Sequence, residues 1–527
     1  MREETNKWGS DTMDTGRRDY ATGEKKRSAR MPRALKRAVA AVFAGMAWSC
    51  LVGHGCTMAP KYTREKPPIP ADWPSGPAYE DRTVRAGLPG APELHWWDFF
   101  PDTRLRGLIE LALNNNRDLR TAVLTAERVR ALYGIQRAEI LPTANATATA
   151  GKQRIPGGLL GFPQALTIEQ YGLGLGMSSW EIDFFGRIRS LKDRALQEYL
   201  ATEQASRSLR ILVVSSVAQA FMSLAADREN LALARKLLET KETAYRLALR
   251  QHEVGILTGL DLDRVRASVE AARAEVSRYT QMVAQDENAL TLLAGTSVPE
   301  ELVPGALSEV APPQEISPGL PSEVLLRRPD VAQAESLLKA AHADIGAARA
   351  AFFPRISLTT TVGTASTDLS GLFASGSGQW SYAAQMVMPI FDARTWWALK
   401  ASKVQQKLAL TQYEKAIQNA FREVADALAF HGAVKTQVEA QQSVVSALSD
   451  TYRLSARRYE KGVDSKLKLL DAQRTLLEAQ QGLVSLTSAK LLSTVRLYAV
   501  LGGGWEEAAP EPGHAVSTAS LEDEKAP

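Results

Sequence analysis

The sequence predicts a mostly α-helical chain that carries four β-strands and is built from two structural repeats. The first observation is an internal duplication: RDLRTAVLTAERVRALYGIQRAEILPTANATA, from Arg117, is echoed by RPDVAQAESLLKAAHADIGAARAAFFPRISLTT, from Arg328. The second is a pair of long stretches without proline, near residues 186–253 and 392–461, rich in helix formers. Threonine- and glycine-rich segments of alternating polarity precede each stretch, which is typical of strands. A duplication of this size predicts two halves that contribute equivalent elements.

The composition is that of a folded protein and narrows its class. Of 527 residues, 45% are hydrophobic and 23% charged, and the formal net charge is +4. A charge this small, without a basic stripe and interleaved aromatics, argues against nucleic-acid binding. The two cysteines, Cys50 and Cys56, lie close together near the N-terminus. A disulfide framework or a cysteine-rich metal site in the body of the chain is therefore excluded.

The N-terminal region resembles an export signal. Residues 31–55 begin with basic side chains, continue through an apolar stretch and end in small residues before Cys56. This order predicts a bacterial lipoprotein signal whose cleavage leaves Cys56 as the acylated N-terminus. Cys50 is a weaker competing site, and an unlipidated secreted form or a plain membrane anchor are the alternatives. Because residues 1–30 are polar and precede the basic start, our hypothesis is that translation begins at Met31.

An extended segment and a helix hairpin follow. Residues 56–100 are rich in proline, which fixes φ and lacks a backbone donor, so we expect them to run along a surface or between subunits. Apolar residues at spacings of three and four then predict a helix hairpin over about 103–140. Its turn is expected at Asn114–Asn116.

Two strand pairs are predicted, one in each repeat. The first comprises residues 143–155 and 167–183, and the second comprises residues 354–368 and 380–391. An open four-stranded sheet in a bilayer would leave unpaired edges, and closed membrane barrels need about eight strands or more. The hairpins must therefore pack on the chain's own helices, or several chains must contribute strands to one barrel.

Each strand pair leads into a very long helix and a returning helix. Roughly seventy helical residues at about 1.5 Å each reach on the order of 100 Å. The returning helices are expected over about 260–294 and 465–501. Both turns contain the residues that stop and start helices, namely Gly255, Thr258 and Asp261 in the first and Gly462, Asp464 and Ser465 in the second. Structural coiled-coil hairpins are one interpretation. Strand hairpins at one end of such long helices favour a tube.

The chain resembles the outer-membrane factors of the TolC and OprM type, in particular the efflux lipoproteins of the NodT subgroup. The resemblance is carried by CTMAPKY at Cys56, WWDFF at Trp96, WEIDFFGRIR at Trp180, AFFPRI at Ala351, LLDAQRTLLEAQ at Leu469 and LYAVLGGGW at Leu497. It implies a homotrimer in which four strands per subunit form a 12-stranded membrane β-barrel, continued by an α-helical tunnel across the periplasm. It also implies lipid anchoring in the cell outer membrane and passive conduction of substrates. The implied partners are a periplasmic adaptor, or membrane fusion protein, an inner-membrane resistance-nodulation-division transporter and outer-membrane lipid.

The same resemblance implies functional residues at the turns of the long hairpins. Leu467, Asp471 and Arg474 match the residues that form the periplasmic gate. Gly255, Leu260, Gly462, Val463 and Ser465 match the tip that contacts the adaptor. In a trimer, Asp471 would form a ring of three carboxylates and could pair with Arg474 of a neighbour. The simpler interpretation is an exposed pair at spacing i, i+3 within one helix. Arg264 stands where Asp471 does, so the two tips are expected to differ electrostatically.

No catalytic or cofactor-binding motif is found, because HExxH, GxSxG and GxxxxGK[ST] are all missing from the sequence. We therefore expect no enzyme, cofactor or metal. Two rival functions stay open, the channel of a type I protein secretion system and a structural lipoprotein without a channel. The predicted organisation is a first repeat over 101–300, a linker over 301–319, a second repeat over 320–503 and a disordered acidic tail over 504–527.

Overall fold

The computed structural model describes residues 57–79, 89–158, 163–317 and 325–504. Several expectations from the sequence lie outside these residues. They concern the extension 1–30, the signal segment 31–55, the acylation site Cys56, its competitor Cys50, and the tail from Trp505 onward.

The first repeat runs from short helices through two strands into a long helix hairpin. Its elements are α1 (Trp96–Phe99), α2 (Thr103–Asn115), α3 (Arg117–Ala138), β1 (Ala144–Ile155), β2 (Leu166–Ile182), α4 (Arg187–Glu253) and α5 (Gly259–Ala294). Asn116 separates α2 from α3, at the predicted turn. Its side chain accepts a hydrogen bond from the Leu119 amide at 2.9 Å, which caps α3, and donates one to the Leu293 carbonyl at 2.9 Å. One side chain thus starts a helix and ties it to the end of α5.

The second repeat has the same order of elements as the first from α3 onward. They are α6 (Pro329–Ala350), β3 (Arg355–Ser366), β4 (Gly378–Val387), α7 (Ala393–Glu460) and α8 (Lys466–Val500). The boundaries agree with the sequence prediction to within two residues except at the end of β4, which was expected to continue to residue 391 and stops at Val387. Pro389 lacks the backbone N–H that a continuing ladder needs.

The four strands form one antiparallel sheet in the order β1-β2-β3-β4. A β-bulge interrupts the pairing of β2 with β3 between Met177 and Trp180. Ser179, within the bulge, has a φ of 51° and donates its amide to Thr359 Oγ1 at 3.1 Å. The sheet does not close within the chain, so β1 and β4 are edge strands.

The hydrophobic core lies where the short helices, the linker after α5 and the middle of the long helices meet. Tyr498 of α8 is buried in it, stacked on Phe99 with 3.9 Å between ring centroids, and its hydroxyl donates to the Leu94 carbonyl at 2.8 Å. A side chain at Gly503 or Gly504 would collide with the Tyr498 ring. Within the LYAVLGGGW motif, residues 497–504 therefore pack around one buried tyrosine.

The proline-rich N-terminal segment lies on α6 and α7 of its own chain. Glu335 of α6 is buried and accepts hydrogen bonds from Tyr62 Oη at 2.9 Å and from Arg64 Nη2 at 2.7 Å. Further along, Trp73 stacks on Phe421 of α7 at 5.1 Å. We call residues 57–79 the strap.

The helix that precedes the strand pair, α3 in the first repeat and α6 in the second, is buried to a different extent in the two repeats. α6 packs against both α4 and α7 and buries much of its surface. Its counterpart α3 packs against α4 but has no buried residue along its length. Its exposed apolar side chains include Val123, Leu124, Leu132 and Ile135.

Candidate functional site at the hairpin tips

The turn between α4 and α5 is built from local sequence chemistry. Gly255 adopts a left-handed φ of 77°, and the Ile256 amide donates back to the Gln251 carbonyl at 2.8 Å, which is a Schellman-type end for α4. Thr258 then caps α5, since its Oγ1 accepts from the Asp261 amide at 3.2 Å and donates to the Asp261 carboxylate at 2.8 Å. The chain thereby reverses direction within a few residues.

The turn between α7 and α8 repeats this geometry. Gly462 has a φ of 71°, the Val463 amide donates to the Arg458 carbonyl at 2.9 Å, and Ser465 Oγ accepts from the Lys468 amide at 3.3 Å. Of the two caps considered from the sequence, Ser465 is the one used. Asp464, the other, turns back towards α7.

An ionic clasp closes the second tip. The Asp464 carboxylate accepts from Arg458 Nε at 2.7 Å and Nη2 at 3.2 Å, and from Lys468 Nζ at 3.3 Å. The Asp464 side chain is only 7% exposed, although Arg458 and Lys468 are both solvated. The bond from Arg458 lowers the pKa of Asp464 below its usual value, so the carboxylate is ionised at neutral pH. The clasp joins the last turn of α7 to the first turn of α8.

The first tip lacks this clasp. Leu257 stands where Asp464 stands in the second tip, and its carbonyl lies 2.9 Å from His252 Nδ1. Arg264, at the position of Asp471, pairs with Asp261 within α5 at 3.4 Å. The two tips therefore differ electrostatically, as expected. In the second tip ionic bonds cross the turn, whereas in the first Arg264 and Asp261 pair within α5.

Apolar side chains protrude from both turns. Ile256 is 75% exposed at the first tip and Val463 is 61% exposed at the second. The predicted contact residue Leu260 and the predicted gate residue Leu467 are also exposed, each within the first turn of its returning helix. Each tip thus presents an exposed apolar surface, formed by Ile256 and Leu260 at the first tip and by Val463 and Leu467 at the second.

The predicted gate residues lie together on α8. Arg474 Nη2 donates to Asp471 Oδ1 at 2.8 Å, and its Nη1 lies 3.0 Å from Glu478. The hydrogen bond that Arg474 donates to Asp471 is the main cause that raises the pKa of Arg474. Within one chain, Arg474 therefore bridges two carboxylates of its own helix, as the simpler interpretation expected. The pairing of Asp471 with Arg474 of a neighbouring chain stays a prediction.

Sequence reasoning missed Arg458 and Glu478. The pairing of Arg458 could have been predicted, because Arg458 and Asp464 lie six positions apart on either side of Gly462. A Schellman turn brings two such positions together, as the bond from the Val463 amide to the Arg458 carbonyl shows. For Glu478, the spacing i, i+4 from Arg474 was the signal.

The sheet at the other end of the long helices has two different faces. Cross-strand neighbours Ala146, Leu175, Val362 and Trp380 form an apolar row across all four strands. Because strand side chains alternate, the next row is on the opposite face and consists of Thr147, Gly174, Gly363 and Gln379. A side chain at Gly363 would collide with the backbone of Leu173. In these two rows, one face of the sheet carries apolar side chains as large as tryptophan, and the other carries glycine and polar side chains.

The bulge preserves this division towards the helices. One extra residue in β2 places Trp180 opposite Leu358 on the apolar face and Glu181 opposite Ser357 on the polar face. Glu181 then forms a two-pronged ion pair with Arg187, in the first turn of α4, with both N–O distances 2.8 Å. A regular strand would have exchanged the two faces at this point.

Comparisons with known proteins agree with this geometry. A family model described as "Outer membrane efflux protein" matches residues 108–296 and 320–503. The toluene efflux pump outer membrane protein TtgC of Pseudomonas putida is 44% identical over 481 residues, or 91% of this chain and 98% of that protein. Outer membrane protein OprJ of Pseudomonas aeruginosa is 40% identical over 460 residues, or 86% and 94%. The solved open state of the Neisseria gonorrhoeae MtrE outer membrane channel matches with a TM-score of 0.76 and 36% identity, covering 86% of this chain and 99% of that one.

Proposed function

Because the chain belongs to the outer membrane efflux protein family, we propose that its two-faced sheet and its long hairpins form one continuous duct. The chain is the outer-membrane channel subunit of a tripartite efflux pump and conducts passively. The relatives are named as components of efflux pumps, which favours efflux over type I protein secretion. The observation that carries the duct is the direct continuation of β2 and β4 into α4 and α7, each of nearly seventy residues.

The faces of the sheet suggest which side meets lipid. In a membrane barrel, the lipid-facing side is apolar and the interior is polar. The row that ends in Trp380 would therefore face lipid, where Trp380 and Tyr382 stack with 6.2 Å between centroids. The row of Thr147, Gly174 and Gly363 would line the interior. These small side chains leave the duct wide, as an exit for varied substrates requires.

The internal repeat supports a homotrimer. Within the chain, β3 pairs with β2 as well as β4, and α6 packs on α4 as well as α7. The counterparts β1 and α3 each lack one of these two neighbours. If every repeat makes the same contacts, β1 pairs with β4 of a neighbouring copy and α3 packs on its α7. Three copies would then close a barrel of twelve strands, and the exposed apolar side chains of α3 would be covered.

The repeat also names a pair of residues for testing this packing. Arg194 of α4 binds Asp344 of α6 at 2.9 Å. Gly255 and Gly462 occupy equivalent positions, so the second-repeat residue equivalent to Arg194 is Ala401. Pro142 and Pro354 are also equivalent, so the first-repeat residue equivalent to Asp344 is Leu132. Leu132 and Ala401 are both exposed in the single chain. They should therefore lie side by side between copies.

Cysteine pairing tests the assembly directly. Leu132→Cys and Ala401→Cys together should be joined between chains by a short bis-maleimide, which spans the length of the Arg194–Asp344 ion pair, and should yield covalent trimers on a denaturing gel. Each single variant is the matched control and should stay monomeric under the same denaturing conditions. Double-variant chains that never cross-link, although the protein is folded, would contradict the proposed contact of α3 with α7.

The tips are proposed to hold the gate and the adaptor contact. Leu467, Asp471 and Arg474 would narrow the duct, and the exposed apolar side chains beside Gly255 and Gly462 would meet the adaptor. An adaptor that binds the open arrangement of the hairpins better would shift the population towards it. Cys56 is proposed as the acylated residue that anchors the chain in the outer membrane.

Conductance of the purified protein in planar bilayers, with its oligomeric mass measured on the same sample, tests the function. We expect discrete low-conductance openings from a trimer. A trimer that never conducts would contradict the duct, whereas a monomer would contradict the assembly argued from the repeat.

A further inference from the structure

A groove outside the proposed duct carries a further inference. It has a volume of about 550 Å³. It lies between residues 307–317, in the linker after α5, and the helices α7 and α8. Its walls are apolar at Leu428 and Leu491, among others, and it is open at the protein surface. Neither the hairpin tips nor the sheet contributes to it.

The floor of the groove is basic. Lys435 of α7 and Lys490 of α8 both line it and are both half-buried, and among the described residues of its lining Glu315 supplies the one carboxylate. The two lysines lie at the same height, because α7 and α8 are held antiparallel by bonds on either side of them. His431 Nδ1 lies 2.9 Å from Ser493 Oγ, and Gln441 Nε2 donates to the Ala479 carbonyl at 2.8 Å.

The chain beyond α8 has the complementary charge. Residues 505–527 contain Glu506, Glu507 and Glu511 near their start and Glu522, Asp523 and Glu524 near their end, against one lysine. Small and proline residues at 508–510 and 512 separate the first group of acids and would suit the apolar walls. The C-terminal tail therefore matches the groove in charge.

The reach of the chain selects Glu511 from the first group of acids. Lys490 lies eleven residues before Leu501, the C-cap of α8, which is about 16 Å along the helix. An extended chain advances about 3.3 Å per residue, so Glu511, seven residues after Gly504, reaches back about 23 Å. The departure point is set, because Gly504 packs against Tyr498. A tail that folds back along α8 thus brings Glu511 to the level of both lysines, whereas Glu506 and Glu507, about 7 and 10 Å along the chain from Gly504, stay nearer the end of α8.

We propose that the start of the C-terminal tail, residues 505–512, folds back along α8 and occupies this groove, with Glu511 against Lys435 and Lys490. The tail then clamps the linker onto α7 and α8. Disorder expected from composition is thereby confined to the residues after Pro512. The inference concerns the outer surface of the chain and holds whether or not the duct conducts as proposed.

Zero-length carbodiimide cross-linking of the full chain tests the proposal, because it joins a carboxylate to an amine only when the two are in contact. We expect peptides that link Glu511 to Lys435 or Lys490. Lys435→Arg with Lys490→Arg keeps the charge but removes the reactive amines, so these links should disappear while the tail stays bound. In 1 M salt the yield should fall severalfold, because exposed ion pairs are screened.

Charge removal at two places in the tail provides the matched control. Glu506→Gln, Glu507→Gln and Glu511→Gln together should speed hydrogen exchange of residues 307–317 as much as truncation after Gly504 does. Glu522→Gln, Asp523→Asn and Glu524→Gln together should leave that exchange unchanged. Links from the lysines to Glu80 or Asp81 instead of the tail, links only between isotopically distinct chains, or exchange that truncation does not alter would each overturn the proposal.

Discussion

Arg458 and Asp464 are joined across the turn of the second hairpin, with Arg458 Nε 2.7 Å from Asp464 Oδ2. The bond links the end of α7 to the start of α8 at the place where the proposed gate and adaptor contact meet. No equivalent pair bridges the first turn in the described part of the chain, where Leu257 replaces the aspartate. The second tip is therefore held by charge as well as by its caps, and the first by its caps and His252.

Asp464→Asn should loosen the second tip. The substitution removes the ionic bonds to Arg458 and Lys468 but keeps the side-chain size. We expect faster hydrogen exchange over residues 458–468 and unchanged exchange at the first tip. Since the folded-state pKa of Asp464 is lowered, its contribution is complete above the ordinary carboxyl pKa and is lost as pH falls through the folded value. Asp450→Asn, which removes an exposed pair with Arg453 in α7, is the control and should leave the tip unaffected.

Asp471→Ala should raise the closed-state conductance in planar bilayers. It removes a carboxylate from the proposed ring and leaves Arg474 with Glu478 as its partner in the same helix. Glu478→Ala removes the other partner of Arg474 and is the matched variant. If Asp471 acts in the gate, only Asp471→Ala changes conductance. Equal effects of the two variants would instead point to the intrahelical network, and no effect of Asp471→Ala would count against the gate.

Gly462→Trp should abolish drug export while leaving trimers intact. A bulky side chain at the turn would obstruct docking of the adaptor. Gly462→Ala is the control for backbone strain, because both variants place a Cβ at a φ of 71°, at a cost of about 1 kcal/mol. Nothing else lies within 4 Å of a Cβ at this position, so the alanine variant should still fold and export. Normal export by the tryptophan variant would exclude Gly462 from the contact.

Glu335→Gln should release the strap from α6. The change replaces the ion pair with Arg64 by weaker bonds from the same guanidinium to an uncharged amide oxygen at a buried site, which we expect to cost about 2 kcal/mol. Burial alone would raise the pKa of Glu335, but bonds from Arg64 and Tyr62 outweigh it and lower the pKa. The stabilisation is therefore present above the ordinary glutamate pKa and disappears as pH falls through the folded value. The rate of limited proteolysis within residues 57–79 measures release of the strap. An unchanged cleavage rate would show that Glu335 does not hold the strap on α6.

Asp286→Asn should stabilise the contact between α4 and α5 at neutral pH. Burial and, next, the neighbouring Asp227 carboxylate raise the pKa of Asp286 to about 6. Because the pKa of Asp286 is raised in the folded protein, its contribution to folding stability is complete below the pKa of an unfolded aspartate. That contribution is lost as pH rises through about 6. The variant should gain about 1 kcal/mol at pH 7.5, a value reduced for the partial solvation of the pair, and much less at pH 5.

Thermal unfolding at both pH values measures that gain. Glu287→Gln is its control, because Glu287 lies beside Asp286 in sequence but pairs with Arg228 at 2.7 Å, so its removal should not stabilise. A gain for Asp286→Asn that is the same at pH 5 and pH 7.5 would rule out the repulsion between the two carboxylates.

Much of the local structure was predictable, because its causes lie close together along the chain. Helix propensity and the absence of proline set α4 and α7 to within a residue or two, and glycine followed by Thr258 or Ser465 set both turns. The displaced strand end at Val387 follows from a proline two residues later. The repeat and the family motifs also placed Leu467, Asp471 and Arg474 close together on the returning helix at the tip.

Contacts between residues far apart in sequence were decided only by the tertiary structure. Arg64 and Glu335 are 271 positions apart, and nothing local indicates that a proline-rich strap will pack on α6 rather than between subunits. The continuation of the two faces of the sheet as far as the helices likewise depends on a single bulge at Ser179, which neither strand pattern reveals. By itself, the sequence determined the elements, the turns and the family, because short-range periodicity and turn chemistry specify them. The tertiary structure decided which charges meet, since burial and pairing depend on how distant elements pack.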